Sequence, residues 1–102
     1  MPNVLDIARQ ELLDAAHWYE DQEAGLGDRL VDASKAALAR IDEWPEAWPE
    51  WELPGLPSPV RHIRLTPFPY VAVYMLEPTL LVIAFVHTKR RPGHWIDRLN
   101  SI

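Results

Sequence analysis

The chain has 102 residues, a length that suits one domain and is too short for a second core. It contains no cysteine, so disulfides and thiolate metal sites are excluded, and its 48% apolar content argues against a disordered chain. The N-terminus has no apolar signal core, and the longest apolar run, Leu80 to Val86, is too short to cross a membrane. We therefore expect a cytoplasmic protein.

The net charge of −5 is distributed unevenly along the chain. Residues 1–56 carry 13 acidic and four basic side chains, whereas residues 57–102 carry two acidic and six basic ones. Such a bipolar chain favours a local contact between its basic half and an anionic partner. The alternative is that the acidic half reflects ordinary solvated helix faces.

Apolar residues at helical spacing predict two amphipathic helices in the first half of the chain. The first is expected from about Ile7 to Glu23, with Asp6 as its N-cap. Val4 and Leu5, which precede this helix, could instead belong to a short initial strand. The inner stripe of the first helix is predicted to consist of Ala8, Leu12, Ala15 and Tyr19.

A glycine turn at residues 25–27 separates the two helices. The second helix is expected to end before Pro45, because proline lacks the amide hydrogen that a helix interior needs. Two amphipathic helices joined by so short a turn form an antiparallel hairpin. The inner stripe of the second helix is predicted to consist of Leu26, Leu30, Ala33, Ala37, Ile41 and Trp44.

Residues 45–59 contain five prolines and form a connector, and Trp48 and Trp51 are expected to pin it to the domain. The residues after it follow a strand pattern, and the short breaks between the segments indicate antiparallel neighbours. A loop and a short helix from about His94 follow. The predicted strands are Val60–Thr66, Pro69–Leu76 and Thr79–Val86.

Together these elements predict a single α+β domain over residues 1–102. Its N-terminal antiparallel helix hairpin packs on a mainly antiparallel three- to four-stranded sheet, and a short C-terminal helix follows.

The run from Thr79 to Val86 is apolar on both faces of its strand, although two helices can cover only one face of the sheet. The other face is therefore predicted to be an interface for a segment of a partner protein or for a second copy of this chain. In the alternative interpretation, the 45–59 connector or the terminal helix covers it. The two alternating sets are Leu80, Val82, Ala84 and Val86, and Leu81, Ile83 and Phe85.

Basic and aromatic side chains cluster after the last strand, and further basic side chains lie on an earlier strand. Guanidinium groups bind phosphates through planar donor pairs, and imidazole transfers protons near neutral pH. The alternative is that these residues cap the sheet, with Arg91 or Arg98 paired to acids of the first helix. The residues concerned are Arg61, His62, Arg64, His87, Lys89, Arg90, Arg91, His94, Trp95 and Arg98.

No nucleotide-binding or zinc-protease motif is present, and His87 and His94 have no evident third metal ligand. We therefore expect neither a cofactor nor a metal ion.

Four sequence segments, in order, carry a family resemblance: ARQELLDAAHWYEDQEAGLG (8–27), ALARIDEWPEAWP (37–49), RHIRLTPFPYVAVY (61–74) and AFVHTKRRPGHW (84–95). Over about Ala8 to Leu99 the chain resembles the ParE/RelE superfamily, the toxins of type II toxin–antitoxin systems, also called plasmid stabilisation proteins. Two positions differ from that family: His94 stands where tyrosine is common, and Tyr70 stands where the RNA-cleaving branch has arginine.

The resemblance implies a toxin that a cognate antitoxin neutralises, and it favours a segment of that antitoxin over a second copy of this chain as the partner on the second sheet face. It leaves three functions open. The first is inhibition of DNA gyrase by binding, as in the ParE-like branch. The second is ribosome-dependent cleavage of mRNA, as in the RelE-like branch, by a metal-independent endoribonuclease. The third is an inactive homologue retained as a partner-binding module.

The ribonuclease alternative assigns a role to each residue of the basic cluster. Arg61, Arg64 and Arg90 would stabilise the charge of the scissile phosphate, and His94 or His87 would transfer protons. Arg61 or Arg64 should then lie within about one side-chain length of Arg90 or His94. The residues expected to bind or stack on the RNA are Tyr74, His87, Lys89, Arg91 and Trp95.

Overall fold

The computed structural model describes residues 1–91 and 93–100, and two helices fill most of the first 43 of them. Helix α1 spans Asp6–Gln22 and helix α2 spans Leu26–Glu43. Between them Gly25 has φ 93°, a left-handed conformation that favours glycine. The Glu20 carboxylate accepts hydrogen bonds from the backbone N–H groups of Gly25 (2.9 Å) and Gly27 (3.0 Å), which fixes the turn.

The predicted N-cap of α1 is wrong. Asp6 is the first helical residue, and Leu5 occupies the N-cap position without a side-chain hydrogen bond to the helix. The short initial strand that we considered as the alternative is present at Asn3–Val4. It positions the chain before α1 through a backbone bond from Leu5 N–H to Val82 O (3.0 Å).

A four-stranded mixed sheet and a short terminal helix complete the α+β fold that the sequence predicts. After the initial strand, β1, the remaining elements are β2 (Val60–Arg64), β3 (Tyr70–Met75), β4 (Leu81–His87) and α3 (Ile96–Leu99). Strand β1 pairs in parallel with β4, whereas β4–β3 and β3–β2 are antiparallel, so the strand order is β1-β4-β3-β2. None of the helices in the described part of the chain has the length and apolar character that a membrane span needs.

The first core lies between the two helices and one face of the sheet, as the helical spacing predicts. The side chains of Leu30, Ala37 and Ile41 are fully buried there, and Leu12 and Tyr19 pack against them. Trp44 is the exception among the predicted inner residues, because its side chain is 56% exposed. It lies one residue beyond the end of α2, where the backbone leaves the helical conformation and the 3.6-residue period no longer applies.

The second face of the sheet is covered by the chain itself. Trp51, Leu53 and Leu56 of the connector pack over it together with Trp95 and α3. The alternative interpretation of the sequence is therefore correct. The predicted antitoxin or dimer surface is wrong, because five of its seven proposed residues are buried within the two cores, Leu80 packs against the first core and Leu81 against the second.

The alternation along β4 also differs from the prediction, because a β-bulge interrupts it. The register shifts between Val73 and Tyr74, so Tyr74 lies opposite Val82 while Val73 lies opposite Ala84. Ile83 is the extra residue, and both Ile83 and Ala84 join the second core. Phe85 consequently faces the helices together with Val82, rather than with Leu81 and Ile83 as simple alternation requires.

Candidate functional site

The two arginines of β2 make hydrogen bonds with different parts of the chain. The Arg61 guanidinium donates to the carbonyl oxygens of Glu46 (2.9 Å) and Trp48 (2.7 Å), and it forms an ion pair with Glu50 (3.5 Å). Arg61 therefore anchors the connector to the sheet. Arg64 is exposed, and its Nε donates to the carbonyl oxygen of Phe68 across the β2–β3 turn (3.1 Å).

The structure does not place the predicted basic residues in one cleft. Arg61, Arg64 and Arg90 line three different clefts, and the described contacts of His94 involve none of them. Strand spacing indicates which residues share a strand, but it does not determine which partners their long side chains contact.

Two aromatic residues predicted to stack on RNA are fully buried. Trp95 packs in the second core beside Trp51, with ring centroids 5.7 Å apart. Tyr74 lies in the first core, and its hydroxyl donates to the carbonyl oxygen of Pro45 (2.6 Å). Burial raises the pKa of Tyr74 to about 12, although the nearby Arg61 charge opposes the shift. Neither ring is available to a ligand, so both assignments are wrong.

Replacing Tyr74 with phenylalanine is expected to lower the free energy of unfolding by about 0.5–1.5 kcal/mol, because the Pro45 carbonyl loses its donor. The replacement should also remove one tyrosine that ionises near pH 12, which ultraviolet absorbance detects. Tyr19→Phe is the control, since the Tyr19 hydroxyl has no hydrogen bond within the described residues. Equal stability of both variants would mean that the Tyr74 hydroxyl contributes nothing to the connector.

Glu11 joins three elements through one carboxylate. It accepts hydrogen bonds from both terminal nitrogens of Arg98 (2.8 and 3.1 Å) and from the backbone N–H of Phe85 (3.2 Å), and it lies 3.2 Å from Nε2 of His94. Arg98 also donates to the carbonyl oxygen of Ile83 (2.9 Å). The alternative assignment of Arg98 to an acid of the first helix is therefore correct.

Glu11 and Arg98 both bind the main chain of β4, at Phe85 and Ile83, and we call this pair the edge clamp. It provides hydrogen-bond partners for these two backbone groups on the outer edge of β4. Strand β1 covers that edge only at Leu81 and Val82. Unpaired edges of this kind otherwise invite pairing with another chain. Burial raises the pKa of Glu11, but the hydrogen bonds from Arg98 and His94 outweigh it, so the net pKa lies below its usual value.

A cleft of about 320 Å³ opens between α1 and the end of β4. Trp18 forms part of its wall, and its side chain is 59% exposed. His87 lies edge-on to Tyr70, with ring centroids 5.2 Å apart, and its Nδ1 accepts the backbone N–H of Lys89 (3.0 Å). We call this the α1–β4 cleft. Its lining is completed by Glu11, Asp14, Ala15, Phe85, Val86 and Arg90.

Of the residues predicted to bind or cleave RNA, the structure brings His87 and Arg90 together in this cleft. Lys89 and Arg91 are exposed beside it. Sequence reasoning missed Asp14, Trp18 and Tyr70 as lining residues. The signal for Trp18 was present, because one residue turns an α-helix by about 100° and so places Trp18 beside the inner stripe rather than within it.

Within the described ranges, 1–91 and 93–100, no three histidine, aspartate or glutamate side chains form a group that could hold a metal ion. A scan against protein-family models and a search of curated proteins each find no match to this chain.

Proposed function

We propose that this protein is the toxin of a toxin–antitoxin pair, that it acts in the cytoplasm, and that it inhibits DNA gyrase by binding it. The family resemblance supports the toxin role. One observation supports binding over chemistry: the basic and aromatic residues assigned to RNA cleavage are dispersed. Three arginines line three clefts, and both Tyr74 and Trp95 are buried.

The α1–β4 cleft is the surface that we assign to the target. Tryptophan is enriched among the residues that dominate protein–protein affinity, and Trp18 offers a large exposed ring in the cleft that the charged residues Asp14 and Arg90 also line. An apolar centre with a charged rim is the usual composition of such interfaces.

Ribosome-dependent mRNA cleavage is the second candidate, and one observation favours it. His87, Arg90 and Tyr70 line the same cleft, which brings together a proton carrier, a phosphate-binding group and an aromatic ring. Any ribonuclease site would therefore be the α1–β4 cleft rather than the arginines of β2.

The deciding experiment is induced expression in a bacterial host, with and without co-expression of any short reading frame adjacent to the gene, followed by two separate assays. We expect growth arrest that the antitoxin relieves, loss of supercoiling by purified gyrase, and intact mRNA. Cleaved mRNA with unaffected supercoiling would replace the proposal with the second candidate. Unimpaired growth would indicate an inactive homologue that only binds partners.

Trp18→Ala is expected to weaken gyrase inhibition by roughly 30-fold, the equivalent of about 2 kcal/mol of binding free energy. Trp44→Ala is the matched control, because Trp44 is 56% exposed but does not line the α1–β4 cleft. The measurement is the protein concentration that halves supercoiling. If both variants inhibit as well as the wild type, the target surface lies elsewhere.

A further inference from the structure

A second cleft, of about 430 Å³, lies at the outer edge of β2 beside the end of α2. Arg40 of α2 and Arg64 of β2 both line it, together with Trp48, His62 and Thr66. The sequence grouped Arg64 with Arg90, whereas the structure groups it with Arg40. We call this the β2-edge cleft.

The charge of the β2-edge cleft is uncompensated. None of its lining residues is acidic, and within the described part of the chain neither Arg40 nor Arg64 forms an ion pair. Burial lowers the pKa of His62, so this imidazole is neutral at pH 7 and adds no charge. Two exposed guanidinium groups therefore share one cleft on a chain whose net charge is −5.

The folded chain already orients the hydrogen-bond donors of the β2-edge cleft. Because Nε of Arg64 is held by the Phe68 carbonyl (3.1 Å), the terminal nitrogens of the guanidinium remain for another partner. The backbone N–H of His62 points outward to Pro49 O (3.1 Å), and that of Leu65 points inward to Tyr70 O (2.9 Å). By strand alternation the N–H of Arg64 also points outward, to the open edge.

We propose that the β2-edge cleft binds a phosphate group between Arg40 and Arg64. Guanidinium groups present planar pairs of donors that match the oxygens of a phosphate, and the Thr66 hydroxyl supplies another donor. The phosphate belongs to a nucleotide or to a nucleic-acid backbone. The inference is independent of gyrase inhibition, since the β2-edge cleft and the α1–β4 cleft have no lining residue in common.

The test is a titration of the purified full-length chain at constant ionic strength, followed by NMR of the Arg Nε–H and Trp indole signals. Its three arms use inorganic phosphate, a nucleoside monophosphate and a short oligonucleotide. We expect saturable shifts of Arg64 Nε–H and of Trp48 Nε1–H, which donates to Arg40 O. The arm with the tightest binding identifies the source of the phosphate.

Arg40→Gln and Arg64→Gln should each weaken binding about tenfold, which corresponds to about 1.4 kcal/mol. Arg29→Gln is the matched control, because Arg29 is an exposed residue of the same helix that lines a different cleft. Unchanged thermal unfolding of the variants ensures that the comparison concerns binding. Shifts that do not saturate, or an equal loss in Arg29→Gln, would overturn the proposal in favour of nonspecific screening.

Discussion

Glu11→Ala is expected to lower the free energy of unfolding by about 3–5 kcal/mol, because the substitution leaves a largely buried charge without its partner. The Arg98 side chain is only 15% exposed, and without Glu11 its remaining described acceptor is the Ile83 carbonyl oxygen. The Phe85 N–H loses its acceptor at the same time. Urea unfolding of the two proteins measures the difference.

The matched control is Asp6→Ala, which removes the acid of an exposed ion pair with Arg9 on the same helix. Exposed pairs contribute little to stability, so this variant should unfold like the wild type. The double variant Glu11→Ala, Arg98→Met should recover part of the lost stability, because the buried charge is then gone. A Glu11→Ala protein as stable as the Asp6→Ala protein would contradict the role of the edge clamp.

The edge clamp also predicts how stability depends on pH. The pKa of Glu11 is lower in the folded chain than in the unfolded one, where it is close to 4.5. The folded state therefore binds the Glu11 proton less readily, and the resulting stabilisation is complete above the unfolded pKa. It is lost as pH falls through the folded pKa. In the Glu11→Gln variant, the part of the stability loss at acidic pH that comes from protonation of Glu11 should be absent.

Ile41→Ala is expected to cost about 2–5 kcal/mol, the usual range for a cavity left by a large aliphatic side chain. Ile41 is fully buried between α2 and the sheet, in the first core with Leu30 and Ala37. The midpoint and slope of urea unfolding give the change in free energy.

Ile7→Ala provides the comparison for this substitution, because it removes the same atoms from a side chain that is 52% exposed. It should change stability by less than about 0.5 kcal/mol. Similar losses in the two variants would show that the first core does not close around Ile41.

The helices and strands were predictable because their signals are local. The 3.6-residue spacing identified the buried positions Leu30, Ala37 and Ile41, and the apolar run from Thr79 to Val86 identified β4. The β-bulge was not predictable, because the sequence around Ile83 is apolar at every position and alternation alone cannot reveal an extra residue.

The candidate site was less predictable than the fold, because it depends on contacts between distant parts of the chain. Glu11 and Arg98 are separated by 87 positions, and the sequence around neither residue predicts that they pair. The same limit applies to Arg64, whose neighbour in the β2-edge cleft is Arg40 of α2 rather than Arg90. Charge and residue type indicated a basic surface, but only the tertiary fold determines which cleft each basic residue lines.

The parallel pairing of β1 with β4 has a consequence for how this chain assembles. Residues 3 and 4 find their partners only at Leu81 and Val82, so β1 has no strand to join until about four-fifths of the chain is available. The second core is completed later still, when Trp95 packs against the sheet. Contacts between such distant segments carry a loop-closure entropy that slows folding. A nascent chain that has not yet reached Trp95 therefore has only the connector to cover the apolar sheet face of the second core.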